Sequence, residues 1–168
     1  MSVELFAKLS KRDLNELIDA AEAAITDGSG LGWATVPPRA TLERYWKGVL
    51  VVPSRQLFVA HFEKVIAGSV QLVEPPSQRE MWGFAAGLDM HFVAPWARGH
   101  GLARNLVEAA EAEARERGYK VLNLNVAESQ KRAIEHYERL GFARWGAHPK
   151  YALVGGKMIK GFYYTKDL

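Results

Sequence analysis

The segment Val93-Ala94-Pro95-Trp96-Ala97-Arg98-Gly99-His100-Gly101-Leu102-Ala103 constrains the fold more than any other part of the chain. An apolar stretch runs through a glycine-containing turn into residues with helical spacing, so a strand must hand over directly to a helix. Such a turn points several backbone N–H groups at one spot, at the positive end of a helix dipole, where a phosphate or pyrophosphate binds well. Arg98 adds a fixed cation beside it. Further along, Ala133-Ile134-Glu135-His136-Tyr137-Glu138-Arg139-Leu140-Gly141-Phe142 reads as a short helix closed by glycine. The two segments together suggest an enzyme that holds a phosphate-bearing cofactor with a tyrosine near it.

The rest of the pattern fits around this pair. Val3 to Leu9 alternates as a first strand, and Ser10 with Asp13 forms a capping box ahead of a helix carrying Leu14, Leu17, Ile18, Ala21 and Ile25 on one face. Asp27-Gly28-Ser29-Gly30 ends that helix. After Pro37-Pro38 a second helix places Leu42, Tyr45, Trp46, Val49 and Leu50 together. Gln56 to Phe62 and Val65 to Val73 read as strands joined near Glu63-Lys64, and Pro75-Pro76-Ser77 breaks the chain. Met81 to Val93 is expected as the central strand. A helix from Leu102 to Arg117 follows, with Glu111–Arg115 and Glu113–Arg117 at i,i+4 spacing and Gly118 at its end. Tyr119 to Val126 is a strand, Gln130 to Leu140 a helix, and the remainder strands. This order predicts one mixed α/β layer structure, a single domain over residues 1–168.

Composition narrows the function classes. The 168 residues, 48% hydrophobic and 24% charged, suit one globular domain with a full core. No apolar run reaches membrane-span length and no signal-peptide pattern opens the chain, so neither a membrane nor a secretory route is expected and the address is read as cytoplasmic. With no cysteine there is no disulfide, thiolate metal site or cysteine nucleophile. Twenty-two basic residues against 19 acidic give a net charge of +3 without a dense basic run. Much of the excess sits at Lys150, Lys157, Lys160 and Lys166, which predicts an anionic small ligand rather than nucleic acid. His61, His136 and His148 lack metal-ligand spacing, and no metal is expected.

Gly99 and Gly101 fit the start of a dinucleotide fingerprint, but Arg104 stands where its last glycine belongs, so that reading fails. Arg98-Gly99-His100-Gly101-Leu102-Ala103 instead resembles motif A of the GNAT acetyltransferase superfamily, Gln/Arg-x-x-Gly-x-Gly/Ala. Ala133-x-x-x-Tyr137-x-x-x-Gly141-Phe142 resembles its downstream motif, and the similarity is strongest from Leu88 to Phe142. The resemblance implies the acyl-CoA N-acyltransferase fold, a single mixed, mostly antiparallel sheet with helices on both faces. It also implies acetyl-CoA as co-substrate. The backbone of His91, Phe92 and Val93 would bind the pantetheine arm. The amides of Arg98, Gly99, His100, Gly101, Leu102 and Ala103 would hold the pyrophosphate. Gln130 stands where many members carry a cofactor-contacting asparagine, and a bulge with strand splay would make a slot for the thioester.

Tyr137 would be the general acid that protonates the departing thiolate; the alternative is a tyrosine packed with Ala133, Ile134 and Leu140. Asn125 occupies the position where several members carry a glutamate base, and asparagine cannot take that proton, though it can orient a water, the substrate or the cofactor. Asp89 leads as the substitute, because a carboxylate inside an apolar strand is costly unless paired or functional. His91 shares its face if no bulge intervenes, Glu74 is a weaker candidate, and a structural Asp89–His91 or Asp–Arg pair is the alternative. Trp33, Trp46, Trp82, Trp96 and Trp145 are core residues by default, with Trp33 and Trp46 placed where the family builds its acceptor pocket. The tail from Gly146 resembles small-molecule acetyltransferases such as tabtoxin-resistance enzymes, with Tyr151 as a substrate contact. The expected activity is direct acetyl transfer to a primary amine of a small molecule. A protein N-acetyltransferase and a non-catalytic acyl-CoA-binding module are the alternatives, and the oligomeric state, a homodimer included, stays open.

Overall fold

A computed structural model describes residues 1–29 and 31–168; Gly30, read above as part of a helix-ending loop, lies outside the described residues. Among the described residues the elements run β1 (Ser2–Phe6), α1 (Lys11–Thr26), α2 (Arg39–Val51), β2 (Arg55–Phe62), β3 (Val65–Val73), β4 (Ala85–Val93), α3 (Leu102–Glu116), β5 (Val121–Ala127), α4 (Lys131–Arg139), β6 (Ala143–Val154) and β7 (Lys157–Asp167). The seven strands form one sheet in the order β1-β2-β3-β4-β5-β7-β6, antiparallel throughout except for the β4–β5 pair. Helices cover both faces. α1 and α2 pack on one side through Leu17, Ile18, Leu42 and Trp46, against Leu57, Val59, Ile66 and Phe92 of the sheet. α3 and α4 pack on the other through Leu106, Val107, Ala110 and Tyr137, against Val70, Leu88, Leu124 and Phe162.

Local sequence signals explain most of the element ends. At α1 the Ser10 hydroxyl accepts from the Asp13 N–H at 3.1 Å while the Asp13 carboxylate accepts from the Ser10 N–H at 2.9 Å, a complete capping box. Glu63 and Lys64 both adopt the left-handed conformation (φ 51° and 68°) that a tight two-residue hairpin requires. The Glu111–Arg115 and Glu113–Arg117 pairs form on α3 as their spacing predicts.

Two boundaries differ from the sequence reading by three residues or more. β1 ends at Phe6, because the capping box claims the following residues for α1. β4 starts at Ala85 rather than Met81: Glu80–Trp82 form a single 3-10 turn, and Met81, Trp82 and Phe84 are exposed. Apolar character alone cannot extend a strand where no neighbouring strand pairs with it. Among the described residues β5 meets β4 only from Ala85↔Val121 to Gly87↔Asn123.

That short contact positions everything that follows. Beyond Gly87 and Asn123 the two strands part, leaving a slot in the middle of the sheet between residues 88–93 and 124–127. On its other edge β4 stays paired with β3, but with a bulge. Gln71 pairs with Asp89 and Ser69 with Phe92, so two steps on β3 match three on β4, and Met90 takes φ 51°. Gly68 accommodates the distortion, since a Cβ there would sit 2.3 Å from the Phe92 carbonyl oxygen.

Candidate active site

The turn after β4 has the geometry of an anion cradle. Pro95–Ala97 form a 3-10 turn, and Gly99 and Gly101 adopt φ 82° and 80° on either side of His100. The Arg98 N–H is spent on the Pro95 carbonyl. Among the described residues no acceptor meets the amides of Gly99, His100 or Gly101, and those of Leu102, Ala103 and Arg104 are the orphan donors of the first α3 turn. A Cβ at Gly99 or Gly101 would meet nothing within 4 Å, so space stays open over these N–H groups. This donor set fits the pyrophosphate of a CoA thioester. Relative to the sequence reading the cradle begins one residue later, at Gly99.

The two side chains expected to reach a cofactor are engaged elsewhere. The Arg98 guanidinium pairs with Asp27 and reaches Ser29, and the Gln130 side-chain amide donates to the Gly28 carbonyl at 2.6 Å. Both tie the loop after α1 to the cofactor side of the slot. The cation next to the cradle is therefore neutralised by a carboxylate rather than left free.

On the α3–α4 face of the slot, Tyr137 and His91 meet. The His91 Nε2 lies 3.1 Å from the Ala103 carbonyl, which can only accept, so Nε2 carries the hydrogen. Nδ1 then accepts from the Tyr137 hydroxyl at 2.8 Å. Burial, reinforced by the neighbouring His136, pushes the His91 pKa down to about 3, so the ring is neutral at physiological pH. Burial, with Tyr151 and the Asp89 carboxylate nearby, pushes Tyr137 up and keeps its phenol protonated. Tyr137 is thus packed in the core against Phe142, with its hydroxyl bonded to His91.

The His91 shift has a consequence for stability. Its ordinary value is 6.5 and its folded value about 3, so between them the unfolded chain binds more protons and stability falls as pH drops through this window. His91→Leu is expected to flatten that decline in urea unfolding measured across pH, and an unchanged slope would mean that His91 is charged when folded.

On the opposite face lies Asp89. Its Oδ2 accepts from Arg55 at 2.9 Å, and Oδ1 from the Met90 N–H at 2.9 Å. Arg55 also donates to Gln71 at 2.6 Å, and Gln71 to the Tyr45 hydroxyl at 2.9 Å; Trp33 stands edge-on to Tyr45. The Asp89 side chain is 49% exposed. Asp89 and Asn125 each lie two residues past the last β4–β5 pair, Gly87↔Asn123, on the two strands that border the slot. Asn125 accepts from the Tyr151 hydroxyl.

Several sequence expectations are corrected here. Asp89 and His91 do not share a face: the bulge at Met90 turns His91 toward α4 and leaves Asp89 toward α2. The Asp–Arg alternative is realised through Arg55. Trp46 is fully buried beside Leu42 and Val49, packed on Phe92, and so is core rather than pocket wall. Conversely Trp82, Trp96 and Trp145 are exposed rather than core. Glu74 pairs with Arg117, away from the slot. His100 stacks on Phe62.

Comparison with known proteins decides the class. The model of the Acetyltransferase (GNAT) family matches residues 16–142. The chain belongs to the GNAT family of acetyltransferases. It is 50% identical over 147 residues to an uncharacterized N-acetyltransferase of Azospirillum brasilense, covering 88% of each chain. In structure it is similar to a ribosomal-protein-alanine N-acetyltransferase from Brucella melitensis, with TM-score 0.81, 20% identity and 100% of both chains covered. It is also similar to a phosphinothricin acetyltransferase from Sinorhizobium meliloti in complex with AcCoA, with TM-score 0.79, 16% identity, and 100% and 89% covered. These GNAT neighbours share the fold while their names point to different acceptors, so the acceptor must be argued from this chain's own slot.

Sequence reasoning missed five participants. Arg55, Gln71 and Tyr45 carry no motif and converge only through pairing of β2, β3 and β4. Asp27 is brought to Arg98 across 71 residues. Gly161 seats Tyr151, and the only available signal was a glycine inside an otherwise strand-forming run.

Proposed function

We propose that this GNAT protein transfers an acetyl group from acetyl-CoA directly to a primary amine of a small molecule within a ternary complex. The observation that carries the reading is the two-faced slot: a phenol on the α3–α4 face, beside the anion cradle, and a half-exposed carboxylate on the other face. Acetyl transfer uses two such groups in different places, since the attacking nitrogen must lose a proton while the leaving sulfur must gain one. Acetyl-CoA supplies the activated acetyl group as a thioester.

This chain's residues then divide the work. The amides from Gly99 to Ala103 hold the pyrophosphate, and the backbone of His91, Phe92 and Val93 lines the unpaired edge of β4 along the slot. Asp89, whose carboxylate is half exposed, takes the proton lost by the amine. Tyr137 Oη gives its proton to the sulfur: the hydroxyl points at neutral His91 at rest, and a thiolate is the stronger acceptor that draws it over. Trp33, linked to Asp89 through Tyr45, Gln71 and Arg55, supplies an aromatic wall suited to a small acceptor. With no cysteine in the chain, no cysteinyl acyl-enzyme carries the group.

The test is calorimetric titration with acetyl-CoA followed by release of free CoA in the presence of a panel of small aliphatic, aromatic and amino-acid primary amines. Saturable binding and amine-dependent release support the reading; binding without release on any amine would leave an acyl-CoA-binding module. Asp89→Asn is expected to lower kcat/KM for the amine about 100-fold, within the range of a lost general base, with acetyl-CoA affinity unchanged. Undiminished kcat/KM would remove Asp89 from the reaction.

A further inference from the structure

Tyr151 sits where the strand alone would not put it. His148 pairs with Gly161 and Ala152 with Ile159, so four steps on β6 match two on β7 and Pro149, Lys150 and Tyr151 leave the register. The tyrosine ring then lies flat on β7. A Cβ at Gly161 would fall 2.0 Å from the Tyr151 Cγ, an overlap that neither backbone nor ring can tolerate. Gly161 does not take a left-handed φ, so glycine is required there for space rather than for conformation. The ring is braced edge-on by Tyr163, and the hydroxyl reaches across to Asn125 on β5. Bulge, glycine and asparagine, on three different strands, all serve to hold one phenol at the slot.

We infer that Tyr151, seated by Gly161 and the β6 bulge, orients the attacking amine and selects primary over secondary amines. This rests on the proposed function. The Tyr151 proton is committed to the Asn125 carbonyl oxygen, so what the phenol presents to the slot is a lone pair. Asn125 on β5 and Asp89 on β4 both lie past the point where the strands part, and Tyr151 is near enough to feel the Asp89 charge, so Tyr151 and Asp89 are the acceptors on this side of the slot. A neutral primary amine whose lone pair points at the carbonyl carbon directs two N–H bonds back to that side. Asp89 takes one, which it removes as a proton, and the Tyr151 oxygen accepts the other. A secondary amine has an alkyl group in place of one of these donors and leaves one acceptor without a partner.

The experiment uses the panel amine that turns over fastest and its N-methyl counterpart, with wild type, Tyr151→Phe, Gly161→Ala and the double variant. Tyr151→Phe is expected to lower kcat/KM for the primary amine about tenfold, the worth of one hydrogen bond in a partly buried site, and to leave the N-methyl amine unaffected. The primary-over-secondary ratio falls by the same factor, and acetyl-CoA affinity is unchanged. Gly161→Ala is expected to reproduce this loss with Tyr151 still present, and the double variant to be no slower than Tyr151→Phe alone. An unchanged selectivity ratio in Tyr151→Phe overturns the inference whether or not Gly161→Ala folds. So do additive losses in the double variant, which mark Gly161 as acting on something other than Tyr151. If wild type binds acetyl-CoA but acetylates no panel amine, the proposed function fails first, and that outcome is distinct from both.

Discussion

Tyr137→Phe is expected to lower turnover by about 100- to 10,000-fold, the usual worth of a positioned proton donor, while the acetyl-CoA dissociation constant stays within about twofold. The asymmetry follows from where the hydroxyl sits. The ring projects from α4 into the core against Phe142, and phenylalanine keeps that packing. Removing the hydroxyl leaves His91 Nδ1 without its donor in a buried setting, so a small loss of stability accompanies the loss of rate. None of the cradle amides is touched. Steady-state turnover beside calorimetric titration separates the two effects. Unchanged turnover would mean that the thiolate leaves without help from Tyr137, and a large loss of affinity would mean that the phenol binds rather than protonates.

Gly101→Val acts on the opposite half of the problem. At φ 80° a β-branched residue is strained, at a cost of roughly 1–3 kcal/mol to the fold. The added side chain occupies the open space over the amides that start α3. If two charge-assisted hydrogen bonds to the pyrophosphate are lost, at about 1.5 kcal/mol each, acetyl-CoA affinity falls about 100-fold. Turnover at saturating acetyl-CoA is expected to fall far less, because Tyr137, Asp89 and the slot are unaffected. A folded Gly101→Val protein with wild-type affinity would show that the phosphates bind elsewhere.

What was legible in the sequence was legible because it is local. The capping box at Ser10 and Asp13, the ion pairs of α3 and the glycine turn after β4 each depend on residues within a few positions of one another. The site is legible only in part, for the same reason. Asp89-Met90-His91 contains nothing that announces a bulge, and Met90 is an unusual residue to find at positive φ. The bulge reflects strand pairing with β3, and it alone decides that the carboxylate and the imidazole serve opposite faces. Trp33 and Trp46 look alike in the sequence, yet α2 buries Trp46 completely and leaves Trp33 to the loop. Arg98 reads as a free cation until Asp27, far away in the chain, is folded against it.

The brief meeting of β4 and β5 divides the molecule into two leaves joined along a seam. One leaf carries β1 to β4 with three helices, the other β5 to β7 with α4. His91 belongs to the first and Tyr137 to the second, so their hydrogen bond is one of the stitches, together with Lys166 to Glu111 and Gln130 to Gly28. Reactive geometry here is therefore a measure of closure. Whatever loosens the seam by an ångström disarms the site, and heat or denaturant should silence the chemistry before it melts the structure.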